Sequence, residues 1–424
     1  MRNPVSVFCT DSARVIFGLR SVLGPLLHEV TDTDLPPGAH VSGTLLALAA
    51  VDKLGRQRGK SEPAILVALP QGSDRTTVRA LRRILGENVL LVLDTDSPMF
   101  DGESMHESLH VLGDTDDIGQ SLARLADLVG GTRTVTPSRA EFGMHAAFGA
   151  ALRSAALRGG VGAALVDQQG DVVALGTAEV PAYRGGQYWD GEEPDARDFQ
   201  LGGDPATAVR SETVQVLLRL LANQGVRLPS PVGDVANNLL QAFDRHEGSH
   251  GVGHGRDHAR TFESLGRVVH AEMAALCAAA RGGRRTGALT MYVTAQPCRQ
   301  CLRHLVCAGL DRVIYLGPRL ESSPAFHADS VSVHADAADH HLRLIPFSGV
   351  GPGAYQSLFG RVPGTAMSGS RGDPRLPRWL GAVTQARPEI TAELARAPAS
   401  ARRDELRRLA SIETDGHRRK EALT

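Results

Sequence analysis

Two short segments of this 424-residue chain constrain it most: His270-Ala271-Glu272 and Pro297-Cys298-Arg299-Gln300-Cys301. A catalytic zinc site takes three protein ligands and keeps one position open. His270, Cys298 and Cys301 supply one nitrogen and two sulfurs. The two cysteines are three residues apart, so at the first turn of a helix their side chains share a face. The positive end of that helix favours their thiolate form. Glu272 stands two residues beyond the histidine and is not needed as a ligand. A lone Cys-x-x-Cys also fits a redox pair or half of a structural zinc site. The proline before the first cysteine and the paired His-x-Glu make the combination specific. Cys277 and Cys307 compete as ligands, but each lies in an apolar helical run that reads as buried free cysteine.

The order of elements around these residues is helix, strand, helix, strand. Residues 271–280 are rich in helix formers and stop at Gly282-Gly283. Residues 288–294 form an apolar, β-rich run. A second helix follows the Pro-Cys turn to about Ala308, and residues 312–316 read as another strand.

This H-x-E…P-C-x-x-C arrangement is the signature of zinc nucleobase deaminases. The stretch from Val269 to Pro318 resembles the dCMP deaminase family throughout. Histidine in the first ligand position and Gln296 before the proline favour its deoxycytidylate branch. Residues 161–177 look like the family's first hairpin. Glu179-Val180-Pro181, Gln187-Tyr188-Trp189 and Asp195 to Phe199 resemble a larger subgroup. That subgroup carries a P-loop-like α/β domain ahead of the deaminase, and some members act in phage defence by destroying dCTP and dCMP. The resemblance implies that zinc, held by His270, Cys298 and Cys301, lowers the pKa of a water from about 15.7 to about 7. It also implies that Glu272 takes that water's proton and passes it to the ring nitrogen and the leaving ammonia. The chain departs from the family at Ala178, where an asparagine usually helps to hold the sugar. Alanine offers no side-chain hydrogen bond, so that contact does not carry over and the substrate-binding residues stay unassigned.

The expected fold class is α/β. Residues 1–133 read as a degenerate P-loop-like domain with a parallel sheet. Residues 138–362 read as a cytidine-deaminase-like three-layer α/β/α domain with a long insertion at about 183–268. Residues 363–424 read as a tail with a surface helix. In the first domain, strands are expected at residues 4–10, 64–69, 88–94 and 108–112, and helices at 13–29 (broken near Gly24-Pro25), 41–54, 74–85 and 116–128. Alternation of this kind gives a mostly parallel sheet. The segment Gly55 to Ser61 has three residues between its glycines where a phosphate loop needs four. Residues Cys9 to Ser12, after the first strand, lack both the glycines and the lysine. In the second domain a helix is expected from Arg139 to Leu157 and another from Ala206 to Asn223. Four histidines between His246 and His258 fall in a glycine-rich stretch that reads as a polar loop, with a second metal site or a lid as the other readings.

Lys and Arg number 46 against 47 Asp and Glu, a net charge of −1, and aromatic residues are only 4%. An editor of nucleic acid needs a basic channel and stacking rings, so nucleic acid is not expected as a partner. Five cysteines do not make a disulfide framework. No run reaches the roughly 18 apolar residues of a membrane helix. The expectation is a cytoplasmic homo-oligomeric enzyme that deaminates dCMP or dCTP. The alternatives are a nucleic-acid-editing deaminase and a non-catalytic deaminase-fold binding module.

Overall fold

A computed structural model describes residues 135–157, 160–248, 266–317, 322–334 and 340–359, together with parts of the first 130 residues. Those parts are 7–10, 12–23, 27–30, 64–69, 89–94, 110–112 and 118–130, with residues 50, 77, 78 and 81. The chain divides into two compact units. One comprises Met1–Glu141 with Phe347–Thr424, and the other Phe142–Pro346. Among the described residues, 347–359 group with the first unit. No described helix is long and apolar enough to cross a membrane.

The first unit is a six-stranded sheet. Its elements are β1 (Val7–Thr10), α1 (Ala13–Leu23), β2 (Leu27–Val30), β3 (Ala64–Ala68), β4 (Val89–Asp94), β5 (His110–Leu112) and α2 (Ile118–Gly130). The strand order is β2-β3-β1-β4-β5, all parallel, with Gly349–Val350 added antiparallel at the β5 edge. The helix expected over 13–29 with a break near Gly24-Pro25 does end at Leu23, but beyond the break Leu27–Val30 is a strand paired with β3. Pro25 accounts for the break, because it cannot continue the helix. Ser12 caps α1 through its hydroxyl, which accepts from Val15 N at 3.3 Å. Two residues therefore join the first strand to its helix. The expected helices at 41–54 and 74–85 lie mostly or partly outside the described residues, and the segment 55–61 and the C-terminal tail lie wholly outside them.

The second unit begins within α3 (Arg139–Ala151) and continues through β6 (Gly162–Val166), β7 (Val172–Thr177), α4 (Ala206–Asn223), α5 (Val232–Gly248) and α6 (Ala271–Arg281). It is completed by β8 (Thr290–Val293), α7 (Arg299–Cys307), β9 (Arg312–Tyr315), α8 (Ser322–Ala325), β10 (Val331–Ser332) and β11 (Leu342–Pro346). The sheet order is β10-β11-β9-β8-β6-β7. The first four of these strands run parallel, while β6 is antiparallel to both β8 and β7. In the β6–β7 turn, Asp167 Oδ1 accepts from the N–H groups of Gln169, Gly170 and Asp171 at 2.9–3.0 Å.

Three layers follow from which face each residue presents. Ala163 and Leu165 of β6, Met291 and Val293 of β8, and Val313 and Tyr315 of β9 bury against Ala271, Ala275 and Ala279 of α6 and Leu302 and Leu305 of α7. Alternate residues face the other way. There Gly162 abuts the backbone of α3 at Ala147 and Ala151, and Gly143 of α3 abuts the Tyr292 ring. With 4% aromatics, the core closes by small residues that let helix and strand backbones approach.

The helix expected over 139–157 ends at Ala151. Tertiary bonds take the next residues out of the helix: Ser154 Oγ donates to Ala178 O at 2.7 Å, and Ala155 N to Glu179 Oε2 at 2.7 Å. The insertion contains an unexpected second helix, α5, which packs Ala236 against Val214 and Leu218 of α4. The helix runs to Gly248, so it takes in His246; the other histidines of that stretch, at 250, 254 and 258, lie outside the described residues.

Candidate metal and active site

Two helix N-termini converge on the predicted ligands. His270 is the N-cap of α6, in extended backbone, and Glu272 is the second residue of that helix. Cys298 is the N-cap of α7, also extended, and Cys301 stands at its third position. Neither His270 nor Cys298 makes a side-chain capping bond. Each is left to face the group opposite, beside the positive ends of both helices.

The ligand atoms of His270, Cys298 and Cys301 all lie within 4.8 Å of one another, the only such group among the described residues. His270 Nδ1 is 3.7 Å from Cys298 Sγ and 3.4 Å from Cys301 Sγ. A tetrahedral zinc with Zn–S about 2.3 Å and Zn–N about 2.0–2.1 Å separates N from S by about 3.6 Å. The donor set and its spacing therefore fit zinc with one position left open.

The two sulfurs share a proton unequally. A hydrogen bond from Cys301 holds the Cys298 thiol down, to about 3. The same bond and burial push Cys301 well up. Glu272 is buried, and burial raises its carboxyl above the usual range. Its side chain is hydrogen-bonded to that of Cys301.

These residues open into a cavity of about 210 Å³. This is below the roughly 300–1,000 Å³ of sites for drug-sized ligands, so it suits a smaller molecule or part of one. Ala156, Val161, Ala178, Val268 and Ala295 give it apolar walls. Ala178 is thus on the cavity wall and brings no polar group. Three charged side chains that sequence reasoning left without a role also line it: Asp198, Asp204 and Arg210, all from the insertion. One signal for Arg210 lay in the pattern. It falls in the stripe 206, 210, 214, 218 that α4 buries, and arginine is rarely buried unless paired.

The expectation for Cys277 and Cys307 is corrected: both are exposed. Helix α6 buries the face of Ala271, Ala275, Leu276 and Ala279, and α7 that of Cys301, Leu302 and Leu305. Each cysteine falls off that face.

Residues 137–317 match the family described as the cytidine and deoxycytidylate deaminase zinc-binding region. The match supports a zinc-dependent deaminase domain in this segment. The matched family region is zinc-binding, and His270, Cys298 and Cys301 form a group that could hold that metal. No curated protein sequence matches the chain. Among solved structures, a dCMP deaminase from the cyanophage S-TIM5, in apo form, is similar at 14% identity and a TM-score of 0.25. That similarity covers 50% of this chain and 99% of the phage protein.

Proposed function

We propose that the second unit is a hydrolytic deaminase of a deoxycytidine nucleotide, dCMP or dCTP, releasing the uracil nucleotide and ammonia. The observation that carries this reading is the buried carboxylate of Glu272 beside a His/Cys/Cys metal group on one small cavity. A purely structural zinc closes its fourth position with protein and needs no such acid.

His270, Cys298 and Cys301 would hold the ion. Zinc, when bound, lowers the pKa of a water to about 7 and so supplies a nucleophile at neutral pH. Glu272 would accept one proton of that water and pass it to the ring nitrogen, then accept the second from the oxygen now bonded to the ring carbon and pass it to the amine as the C–N bond breaks. The apolar walls would exclude bulk water and seat the flat ring. The first unit is proposed as a P-loop-like domain without phosphate chemistry. In support, the connection from β1 to α1 is only two residues long, where a phosphate cradle needs a loop. The neutral charge balance speaks against a nucleic-acid substrate.

The test is deamination of deoxycytidine, dCMP, dCTP and a single-stranded oligonucleotide, followed by ammonia release, for the wild type and Glu272→Gln. The expected result is turnover of one nucleotide, lost by roughly 10²- to 10⁴-fold in the variant with zinc content unchanged. A zinc-loaded wild type silent on every cytosine compound would overturn the reading.

A further inference from the structure

The three insertion side chains in the cavity differ in how far their hydrogen bonds are already made. Arg210 Nη2 donates to Asp204 Oδ2 at 2.7 Å and to Thr207 Oγ1 at 3.0 Å. Asp204 Oδ1 accepts from Ala206 N at 2.9 Å. Asp198 is otherwise. It is 5% exposed, and among the described residues its Oδ1 has no hydrogen-bond partner. Among the described residues Arg267 faces it as an ion-pair partner, with Nε 3.8 Å away, beyond hydrogen-bond length. The other end of that guanidinium is held by Ala196 O at 2.6 Å. A buried carboxylate oxygen with no donor is a rarity that asks for an explanation, and here it borders the cavity.

We propose that Asp198 is a specificity-determining residue whose carboxylate accepts the hydrogen bond of the substrate's sugar hydroxyl. The inference rests on the deamination reading and extends it. A cytosine nucleotide has few donors to offer a carboxylate: its exocyclic amine and its sugar hydroxyls. The amine is the group being replaced, so it belongs beside the metal group and Glu272. In a deoxynucleotide the 2′-hydroxyl is absent and the 5′ oxygen is esterified. The 3′-hydroxyl is the donor that remains.

The neighbouring carboxylates already carry hydrogen bonds from the protein. Ala178 has no acceptor in its side chain. Its neighbour Glu179 accepts from Ala155 N at 2.7 Å and from Val180 N at 2.8 Å, one bond on each oxygen. Nor is this part of the cavity suited to a phosphate. Among the described lining residues, an anion there would meet Asp198 and Asp204 with Arg210 already bonded to Asp204. The phosphate is therefore placed outside this cavity and the hydroxyl inside it. Burial raises the Asp198 pKa, as expected of a carboxylate that lacks donors until a ligand brings one.

The test compares the nucleotide that the wild type turns over with its 2′,3′-dideoxy counterpart, in wild type, Asp198→Asn and Asp198→Ala. The wild type is expected to favour the 3′-hydroxyl by roughly 10- to 100-fold in kcat/KM, the range for a hydrogen bond to a charged group. Asp198→Ala should lose that preference through the hydroxylated substrate alone, leaving the dideoxy substrate within about twofold, and Asp198→Asn should fall between. Calorimetric Kd values for the two uracil products should show the same ratio without turnover. Zinc content and thermal unfolding report whether each variant folds, and the near-isosteric Asn variant serves if Ala does not. A wild type that is active but indifferent to the 3′-hydroxyl would overturn the proposal alone. So would an Asp198→Ala protein that keeps the discrimination, or one that loses both substrates equally. A zinc-loaded wild type that neither deaminates nor binds any cytosine nucleotide would instead overturn the deamination reading, and this proposal with it.

Discussion

Gly176 of β7 runs so close to Ala271, the first residue of α6, that a Cβ on it would overlap the Ala271 carbonyl oxygen and the Ala275 nitrogen. The obstacles are backbone atoms of the helix turn that carries His270 and Glu272, so neither can swing away. Gly176→Ala should therefore shift that turn and cost roughly 1–3 kcal/mol of stability, as overpacking does. Its zinc affinity should fall as well. Gly149, in α3, has nothing within 4 Å of where its Cβ would be. Gly149→Ala should be neutral or stabilising by roughly 0.5–1 kcal/mol. Thermal unfolding with zinc titration separates the two, and equal behaviour would refute the steric argument.

How much could be read in advance depended on how local the cause was. That His270, Cys298 and Cys301 come together was legible because the grouping rests on short spacings, each at a helix start. Helix α4 was legible from its own period. The end of α3 was not: Leu152 to Leu157 is made of helix formers, and what turns it aside is a pair of bonds to Ala178 and Glu179, more than twenty residues away. Leu27–Val30 became a strand because β3 offered an edge, which no local pattern announces. The same holds for Asp198. It is defined by a missing partner inside a cavity walled by distant segments, and a motif scan has no term for that.

The five cysteines should react in three classes. Cys277 and Cys307 are exposed, and Cys9 is fully buried. With zinc bound, a thiol reagent should label Cys277 and Cys307 quickly, and a chelator should then release Cys298 and Cys301. Of that pair Cys298 should react first. It is half-buried and held near 3, whereas Cys301 is buried and held as a thiol. Cys9 should need denaturant. Peptide mass mapping of the labelled positions checks the order. Labelling of Cys298 before chelation would contradict its role as a ligand.

Glu141 should give the first unit an acid-sensitive element. Burial pushes its carboxyl up, but the Arg124 guanidinium and the N–H groups of Ser138 and Val350 outweigh it and hold the group below its usual range. Arg124 meets it with two bonds of 2.8 Å, and Val350 N donates at 2.9 Å. A folded-state pKa below the unfolded value contributes stability above about 4.3, and that stability is lost as pH falls through the folded pKa. Glu141→Gln should thus cost roughly 1–3 kcal/mol at neutral pH. The gap between wild type and variant should narrow below about pH 4. Urea unfolding at neutral pH and at pH 3.5 measures it, and a gap independent of pH would argue against the ion pair.

The start of the insertion should depend on Arg153. Its guanidinium lies 3.6 Å from the centroid of the Trp189 ring. It also donates to Gln187 Oε1 and to Gln187 O, each at 3.2 Å. Gln187 in turn donates to Thr177 O, the residue before Ala178 on the cavity wall. Arg153 thus ties the insertion to the segment after α3, and Gln187 ties it to the end of β7. A planar fork can stack and bond at once, and an ammonium cannot. Losing the stack costs roughly 0.5–2 kcal/mol, and each hydrogen bond about 1 kcal/mol. When opening is fast, cleavage tracks the open population. Arg153→Lys should therefore raise proteolysis within residues 183–205 by roughly tenfold, and Arg153→Ala by more. Zinc content should not change, because no ligand is touched. Limited proteolysis read by mass spectrometry, beside a zinc assay, decides the matter: cleavage unchanged in both variants would mean that the insertion is anchored elsewhere.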